Sequence, residues 1–368
     1  MSEEKIRIVT ITLTQNCNLS CSYCYEHYKS KKTMDINTAK FIIDNELENL
    51  KNDELIEFDL FGGEPFLEFE LLKQITEYIC ENKGKKQCRI FATTNGTLVH
   101  GEIQEWLRNH TCCFVCGLSL DGTREMHNLN RSDSYDDIDL NFFKELYPEQ
   151  DVKMTISQKT LPHLADGVID LHNKGFLVSC NLAYQIDWSA KENLSVLNRE
   201  LNKLIDFYLE HPNIEPCSML EMGFTNINSN ENIAIKFCGA GQTMKSYDVD
   251  GNVYPCQFFM PLSVGDEKAS KANEIVFPVD IIPTDLLDDK CKGCIIKSVC
   301  PNCFGANYAS TGSIYKRDDN MCKLTKITLM ARSYFRAKQW EYGQLKGTKQ
   351  EIQAILSSIV KIQEQLKI

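Results

Sequence analysis

The 368-residue sequence has no apolar run near the ~18–20 residues needed to span a membrane. Behind its polar, acidic first five residues there is no signal-peptide apolar stretch. A soluble, cytoplasmic protein with no membrane partner is therefore expected. Positive charge is in deficit: 40 Lys and Arg against 51 Asp and Glu leave a net −11. That excludes a general nucleic-acid binder, which needs a basic face. Internal repeats and low-complexity segments are absent as well, which removes solenoids and disordered linkers from consideration.

Cysteine, by contrast, is abundant, at 17 of 368 residues. A reducing compartment does not normally sustain disulfides, so so many thiols point to metal ligation or to small buried apolar residues. Spacing decides between the two.

The first 210 residues alternate β-rich runs with amphipathic stretches. Strands are predicted at 6–13, 56–61, 88–94, 114–120, 152–157 and 177–183. Helices are predicted at 36–50, 67–82, 103–108, 138–146, 161–174 and 194–210. Six strands, each followed by a helix, imply parallel pairing with right-handed crossovers. Six units are too few for an eight-fold barrel. The expected fold class is thus α/β, an open partial (β/α)6 TIM-like barrel over residues 1–215 with ligands at the C-terminal strand ends. Residues 226–322 hold seven cysteines and many Gly, Asn and Asp. A segment this poor in periodicity needs cross-links or metal to stay ordered, and reads as a second, Cys-rich domain at 216–325. The tail, 326–368, is predicted helical. There Ile352, Ile355, Ile359, Ile362 and Leu366 form a stripe of about two heptads, expected to pack on its own protein.

The loop after the first strand carries Cys17-x3-Cys21-x2-Cys24. Three thiolates in one short loop can hold three corners of a [4Fe–4S] cube and leave the fourth iron open to a small chelating molecule. The alternative is a closed zinc site completed by a distant fourth ligand. Further motifs follow the next strands: Phe61-Gly62-Gly63-Glu64-Pro65, then Thr94-Asn95-Gly96, then Ser119-Leu120-Asp121-Gly122 with His127 and Arg131 beyond. Two adjacent glycines permit close backbone approach, Glu64 offers an acceptor for an ammonium, and Arg131 a fork for a carboxylate. Asp121 reads as a substrate contact or a turn cap, and His127 as a catalytic or a structural histidine.

Taken together, these motifs resemble the radical S-adenosylmethionine (SAM) superfamily, in its sulfatase-maturase and peptide-modifying branch. The resemblance implies that Cys17, Cys21 and Cys24 are catalytic as the ligands of a SAM-binding [4Fe–4S] cluster. It implies that Tyr23, Gly62, Gly63, Glu64, Asn95, Ser119 and Arg131 contact SAM, with Glu64 at its amino group. It also implies the chemistry: reductive cleavage of SAM to a 5′-deoxyadenosyl radical that abstracts hydrogen from substrate.

Farther on, Cys238-x12-Gly251-x4-Cys256, Cys291-x2-Cys294-x5-Cys300-x2-Cys303 and Cys322 resemble the SPASM domain, which carries auxiliary iron–sulfur clusters. Two residues separate Cys300 from Cys303, where that family usually has three. The resemblance implies one auxiliary [4Fe–4S] cluster on Cys291, Cys294, Cys300 and Cys322, and another on Cys238, Cys256 and Cys303. Asn232 stands where some members have a further cysteine. The second cluster therefore either recruits Cys217 or keeps an open iron. Zinc ribbons, within a zinc-binding scaffold, are the non-enzymatic alternative. The Cys112-Cys113-x2-Cys116 group is expected to be core packing.

The implied substrate is a precursor peptide or protein. The implied product is a thioether, carbon–carbon or cyclophane crosslink; the alternatives are formylglycine, as in anaerobic sulfatase maturation, and epimerisation. Implied partners are an electron donor such as flavodoxin or ferredoxin. Because the first strand starts near Ile6, a separate leader-binding protein is a further expected partner.

Overall fold

The computed structural model describes residues 5–51, 53–221, 223–228 and 233–366. The chain divides into two compact units. The first comprises residues 1–120, 131–150 and 238–277; the second comprises 121–130, 151–237 and 278–368.

In the first unit, β1 (Lys5–Thr14), β2 (Glu54–Gly62), β3 (Gln87–Thr94) and β4 (Phe114–Leu118) pair in parallel in the order β4-β3-β2-β1. Their crossovers run through α1 (Ile36–Glu48), α2 (Phe69–Asn82) and α3 (Glu102–Asn109). Val9, Ile11, Leu13, Ile56, Phe58 and Leu60 are fully buried, as expected of strands with both faces covered. Asp35 caps α1 by accepting from Asn37 N.

The expected six-strand run is not one sheet, and this corrects the fold reading. The strands at 152–156 and 178–182 pair in parallel with each other, in the second unit. The place beside β1 is taken by Met244–Tyr247, from the Cys-rich region, which pairs in parallel in the register Ile8↔Met244 to Ile11↔Tyr247. Val253–Tyr254 closes that edge antiparallel. Charge anchors the added strand. The buried Glu46 of α1 accepts from Lys245 Nζ at 2.8 Å and from Tyr247 OH at 2.6 Å, and pairs with Arg7 at 3.4 Å. Burial disfavours the Glu46 carboxylate, but these donors outweigh it and hold the group below its ordinary value.

The second unit contains the helices Arg124–Asn130, Leu164–Asn173 and Glu192–Glu210, and two C-terminal helices, Asp319–Glu341 and Lys349–Gln365. Ile359 and Ile362 of the last helix join a buried cluster with Phe224, Ile227, Ile296, Val299 and Leu329, and Ile355 and Leu366 pack against it. The apolar stripe thus packs within its own chain. Thr348 and Glu351 form a capping box at that helix's start. Among the described residues, no helix is long and apolar enough to cross a membrane.

Candidate active site

The loop leaving β1 returns to it. Met34 N donates to Leu13 O at 2.8 Å, Gln15 N donates to Lys32 O at 2.9 Å, and Thr14 bridges Thr33. A closed loop this long without helix or strand of its own is characteristic of a functional segment. It projects from the C-terminal end of a parallel strand, where such sheets bind ligands. Cys17, Cys21 and Cys24 line a cleft of about 480 Å³ opening in this loop, with Glu26 and Lys29 beside them. The backbone N–H of Leu19 donates to Cys17 Sγ at 3.4 Å.

Burial pushes the Cys17 thiol up to about 11. A thiolate there needs a compensating cation, which is what a metal centre supplies. Lys29 is raised as well, which for an ammonium favours the charged form. Burial lowers it, but Cys24, Cys17 and Glu26 outweigh burial and raise it. Among the described residues, no three His, Cys, Asp or Glu side chains converge tightly enough to hold one ion. Thiolates that each bind a separate iron of a cube have no need to converge in that way.

Steric fit explains the glycine pair at the end of β2. A Cβ on Gly62 would lie 2.4 Å from Thr14 O; one on Gly63 would lie 2.4 Å from Asn16 O and 2.9 Å from Cys17 Cβ. The backbone following β2 thus presses against the first cluster cysteine, and Gly63 N and Glu64 N donate to Thr14 O and Asn16 O at 3.1 and 2.9 Å.

Glu64 is buried and its carboxylate is already engaged. Oε1 accepts from Thr94 Oγ1 at 2.8 Å and Phe66 N at 3.2 Å, and Oε2 accepts from Asn95 N at 2.8 Å. Burial raises its carboxyl to about 7 against these donors and the nearby Arg131. Asn95 continues the chain of contacts. Its Nδ2 donates to Asn18 Oδ1 at 2.9 Å, and its Oδ1 accepts from Thr97 N at 3.0 Å; Asn18 Nδ2 in turn donates to Thr97 Oγ1 at 2.8 Å. The ends of β1, β2 and β3 are therefore fastened to one another through Asn18, Glu64, Thr94, Asn95 and Thr97. Sequence reading missed Asn18 and Thr97. The available signal was a carboxamide inside the cysteine motif and a hydroxyl two residues past Asn95.

Ser119, just past β4, donates its N–H to Thr94 O at 2.9 Å. Arg131 is buried with its guanidinium over the Tyr23 ring, 5.4 Å from the centroid. Ser132 and Asp133, next to it, both take positive φ of 56°, unusual for non-glycine residues. Ser132 Oγ accepts from Ser20 N at 3.0 Å, pinning this bend to the cysteine loop. Tyr23, Ser20 and Arg131 are thus drawn together in the first unit.

Asp121 and His127 belong to the second unit, and both are fully buried. Asp121 accepts from Thr155 N at 2.9 Å and Asn130 Nδ2 at 3.1 Å; His127 Nδ1 accepts from Asp121 N at 3.3 Å. They brace the short helix Arg124–Asn130 against the 152–156 strand, which favours the structural readings.

In the Cys-rich region, Cys291, Cys294, Cys300 and Cys322 lie within electrostatic reach of one another, and burial followed by these neighbours pushes the Cys291 thiol up to about 11. Arg317 Nη1 donates to Cys300 Sγ, and Arg317 Nη2 to Thr325 Oγ1 at 2.8 Å. Cys303 stands apart from this group in role: its Sγ caps the helix Phe304–Thr311 by accepting from Ala306 N at 3.4 Å. Cys238 is exposed and Cys256 buried, both in the first unit. Asn232 lies outside the described residues. Cys217 is buried beside Tyr208, whose OH accepts from Cys217 N at 2.9 Å. Of the Cys112 group, Cys116 is core, but Cys112 is exposed, so packing does not account for all three.

The family described as a 4Fe-4S single cluster domain matches residues 6–135, the stretch holding the cysteine loop and the glycine, Asn95 and Ser119 motifs. A cysteine-type anaerobic sulfatase-maturating enzyme of Clostridium perfringens is 25% identical over 274 residues, 67% of this chain and 73% of that one. These likenesses support a radical SAM enzyme that modifies a peptide or protein. An iron–sulfur cluster and SAM are therefore its cofactors, and the zinc-scaffold alternative falls away. An uncharacterised protein of Methanocaldococcus jannaschii is 38% identical over 112 residues, 30% of this chain; the chain spans only 37% of that relative's length. In fold, the chain is similar to native anSMEcpe solved with bound AdoMet and Cp18Cys peptide. The TM-score is 0.67 at 19% identity, covering 92% of this chain and 99% of that one.

Proposed function

We propose that this radical SAM enzyme is a peptide maturase, acting on a ribosomally made peptide or protein to form a thioether, carbon–carbon or cyclophane crosslink. The observation that carries the reading is the fastening of three strand ends to the cysteine loop, which fixes Cys17, Cys21 and Cys24 beside a cradle only glycine can line. Cys17, Cys21 and Cys24 would hold a [4Fe–4S] cluster there, which with SAM would supply one-electron reductive C–S cleavage and hydrogen-atom abstraction from the substrate.

The chain's own residues bind and orient. Gly62 and Gly63 let the strand end approach the loop. Glu64 and Asn95 hold the cradle's shape, with the second lone pair of Glu64 Oε2 left for the SAM ammonium. The Ser119 hydroxyl and the Arg131 fork would receive its carboxylate and ribose. Cys291, Cys294, Cys300 and Cys322 are proposed to hold one auxiliary cluster, and Cys238, Cys256 and Cys303 to serve the other. A cluster held there would supply an acceptor for the second electron when the product has lost two hydrogens. Flavodoxin or ferredoxin is the proposed reductant, a separate protein the proposed leader binder, and the cytoplasm the proposed compartment.

Formylglycine formation is the second reading, supported by the sulfatase-maturating relative named above. Co-expression with short cysteine-bearing peptides, followed by mass spectrometry, tests both. A crosslink appears as a loss of two hydrogens with no carbonyl; formylglycine appears as an aldehyde trapped by a hydrazine. Unmodified peptide with active SAM cleavage would refute peptide maturation.

A further inference from the structure

The second unit contains a partly open cavity of about 120 Å³ that the radical site does not use. It is too small for SAM, since pockets for drug-sized ligands run to about 300–1,000 Å³. It is also far larger than the ~10–15 Å³ that one water needs. One amino-acid side chain, or a chain terminus, is the right size.

Its lining is mostly apolar: Leu182, Met219, Ile296, Val299, Met321 and Leu329. Two arginines interrupt that lining, Arg317 at 8% and Arg332 at 6% exposure. Among the described residues, no Asp or Glu lines the cavity. Its hydroxyls are largely committed to the main chain. Ser218 Oγ donates to Cys180 O at 3.0 Å, Thr325 Oγ1 to Met321 O at 2.8 Å, and Thr328 Oγ1 to Leu324 O at 3.0 Å.

The arginines differ. Arg317 is answered by Cys300 and Thr325. Among the described residues, Arg332 makes one hydrogen bond, from Nε to Met219 O at 2.6 Å, and its two terminal nitrogens have no partner. A buried cation is costly unless paired, and a guanidinium presents its terminal N–H groups as a fork matched to two oxygens.

We propose that this cavity binds a carboxylate, held by the Arg332 fork with Arg317 adding charge and with the carbon stem against the apolar wall. Its biological source, a substrate peptide's acidic side chain or C-terminus, rests on the peptide-maturase reading. Carboxylate binding itself does not.

The test uses the iron-loaded full chain without SAM or reductant, so that failure here is separable from failure of the radical chemistry. Isothermal titration compares three probes. N-acetylglutamate N-methylamide carries only the side-chain carboxylate, N-acetylglutamine only the α-carboxylate, and N-acetylglutamine N-methylamide neither. Saturable binding of one acid, at least tenfold tighter than the neutral diamide, is expected, and which acid binds identifies the source. Arg332→Met should abolish the preference and Arg332→Lys should keep part of it. Equal binding of acids and diamide to the unaltered protein would overturn the proposal whether or not the variants fold. So would an unchanged preference in Arg332→Met.

Discussion

Gly63→Ala should damage the cysteine loop while leaving most of the chain alone. The added Cβ would lie 2.4 Å from Asn16 O, 2.7 Å from Asn16 C and 2.9 Å from Cys17 Cβ. Side-chain carbons essentially never come within 3.0 Å of such atoms, so moving from 2.4 to 3.0 Å requires a shift of at least 0.6 Å. The two nearest obstructing atoms are backbone and cannot swing aside. Functional constellations tolerate about 0.5 Å of misplacement, so the shift falls on the cluster's first ligand. Crowding of this kind costs about 1–3 kcal/mol, and disturbed support around metal ligands typically costs about 10–100-fold in affinity or activity. The assay is iron content and the rate of 5′-deoxyadenosine release from SAM under dithionite, with Gly223→Ala, which has open space around its Cβ, as control. Gly63→Ala should lose about 10–100-fold in rate with reduced iron at this site, and Gly223→Ala neither. Unaltered iron and rate in Gly63→Ala would refute the steric argument for the glycine pair.

Further outcomes follow from the same geometry. Glu64→Gln turns one carboxylate oxygen into an N–H₂ group facing the N–H of Asn95 or Phe66; a buried mispairing of this kind costs about 1–3 kcal/mol, read as a lowered thermal midpoint. Arg131→Lys keeps the charge over Tyr23 but removes the fork, and SAM affinity by equilibrium dialysis should fall about tenfold, or about 1.4 kcal/mol. His172 is half-buried, desolvation lowers its pKa below the ordinary 6.5, and the ring is bonded to Tyr208 OH at 2.8 Å. The unfolded chain therefore binds the extra proton first, and the His172 contribution to stability is lost as pH falls below about 6.5. The thermal midpoint of the natural protein should drop from pH 7.5 to 5.5 more than that of His172→Gln; parallel curves would contradict the assignment.

How much of this was legible in the sequence depended on contact range. All six strands of the first 210 residues were readable, because Val9, Ile11, Leu13 and their counterparts form apolar runs bounded by turn residues. The cysteine loop was equally plain from spacing alone. The helix Arg124–Asn130 escaped notice because seven residues with Met126 as their main apolar contact show no stripe. The pairing of Met244–Tyr247 beside β1 was hidden because it is a four-residue strand partnered across more than 230 residues of chain. Its anchor, Glu46, is polar at an interior helix position and reads as surface until Lys245 and Tyr247 are seen to reach it. Glu64 was found as a candidate ligand for an ammonium. Its bonds to Thr94 and Asn95 depend on how two strand ends meet, which periodicity does not encode.

The central claim is that Cys17, Cys21 and Cys24 hold the cluster that cleaves SAM. Anaerobic reconstitution with iron and sulfide, followed by iron counting and 5′-deoxyadenosine analysis, tests it on the natural protein and on Cys17→Ala, Cys21→Ala, Cys24→Ala combined. The triple variant should hold about four fewer irons, keep its auxiliary iron, and release no 5′-deoxyadenosine. Undiminished iron in the triple variant, or continued SAM cleavage by it, would contradict the account.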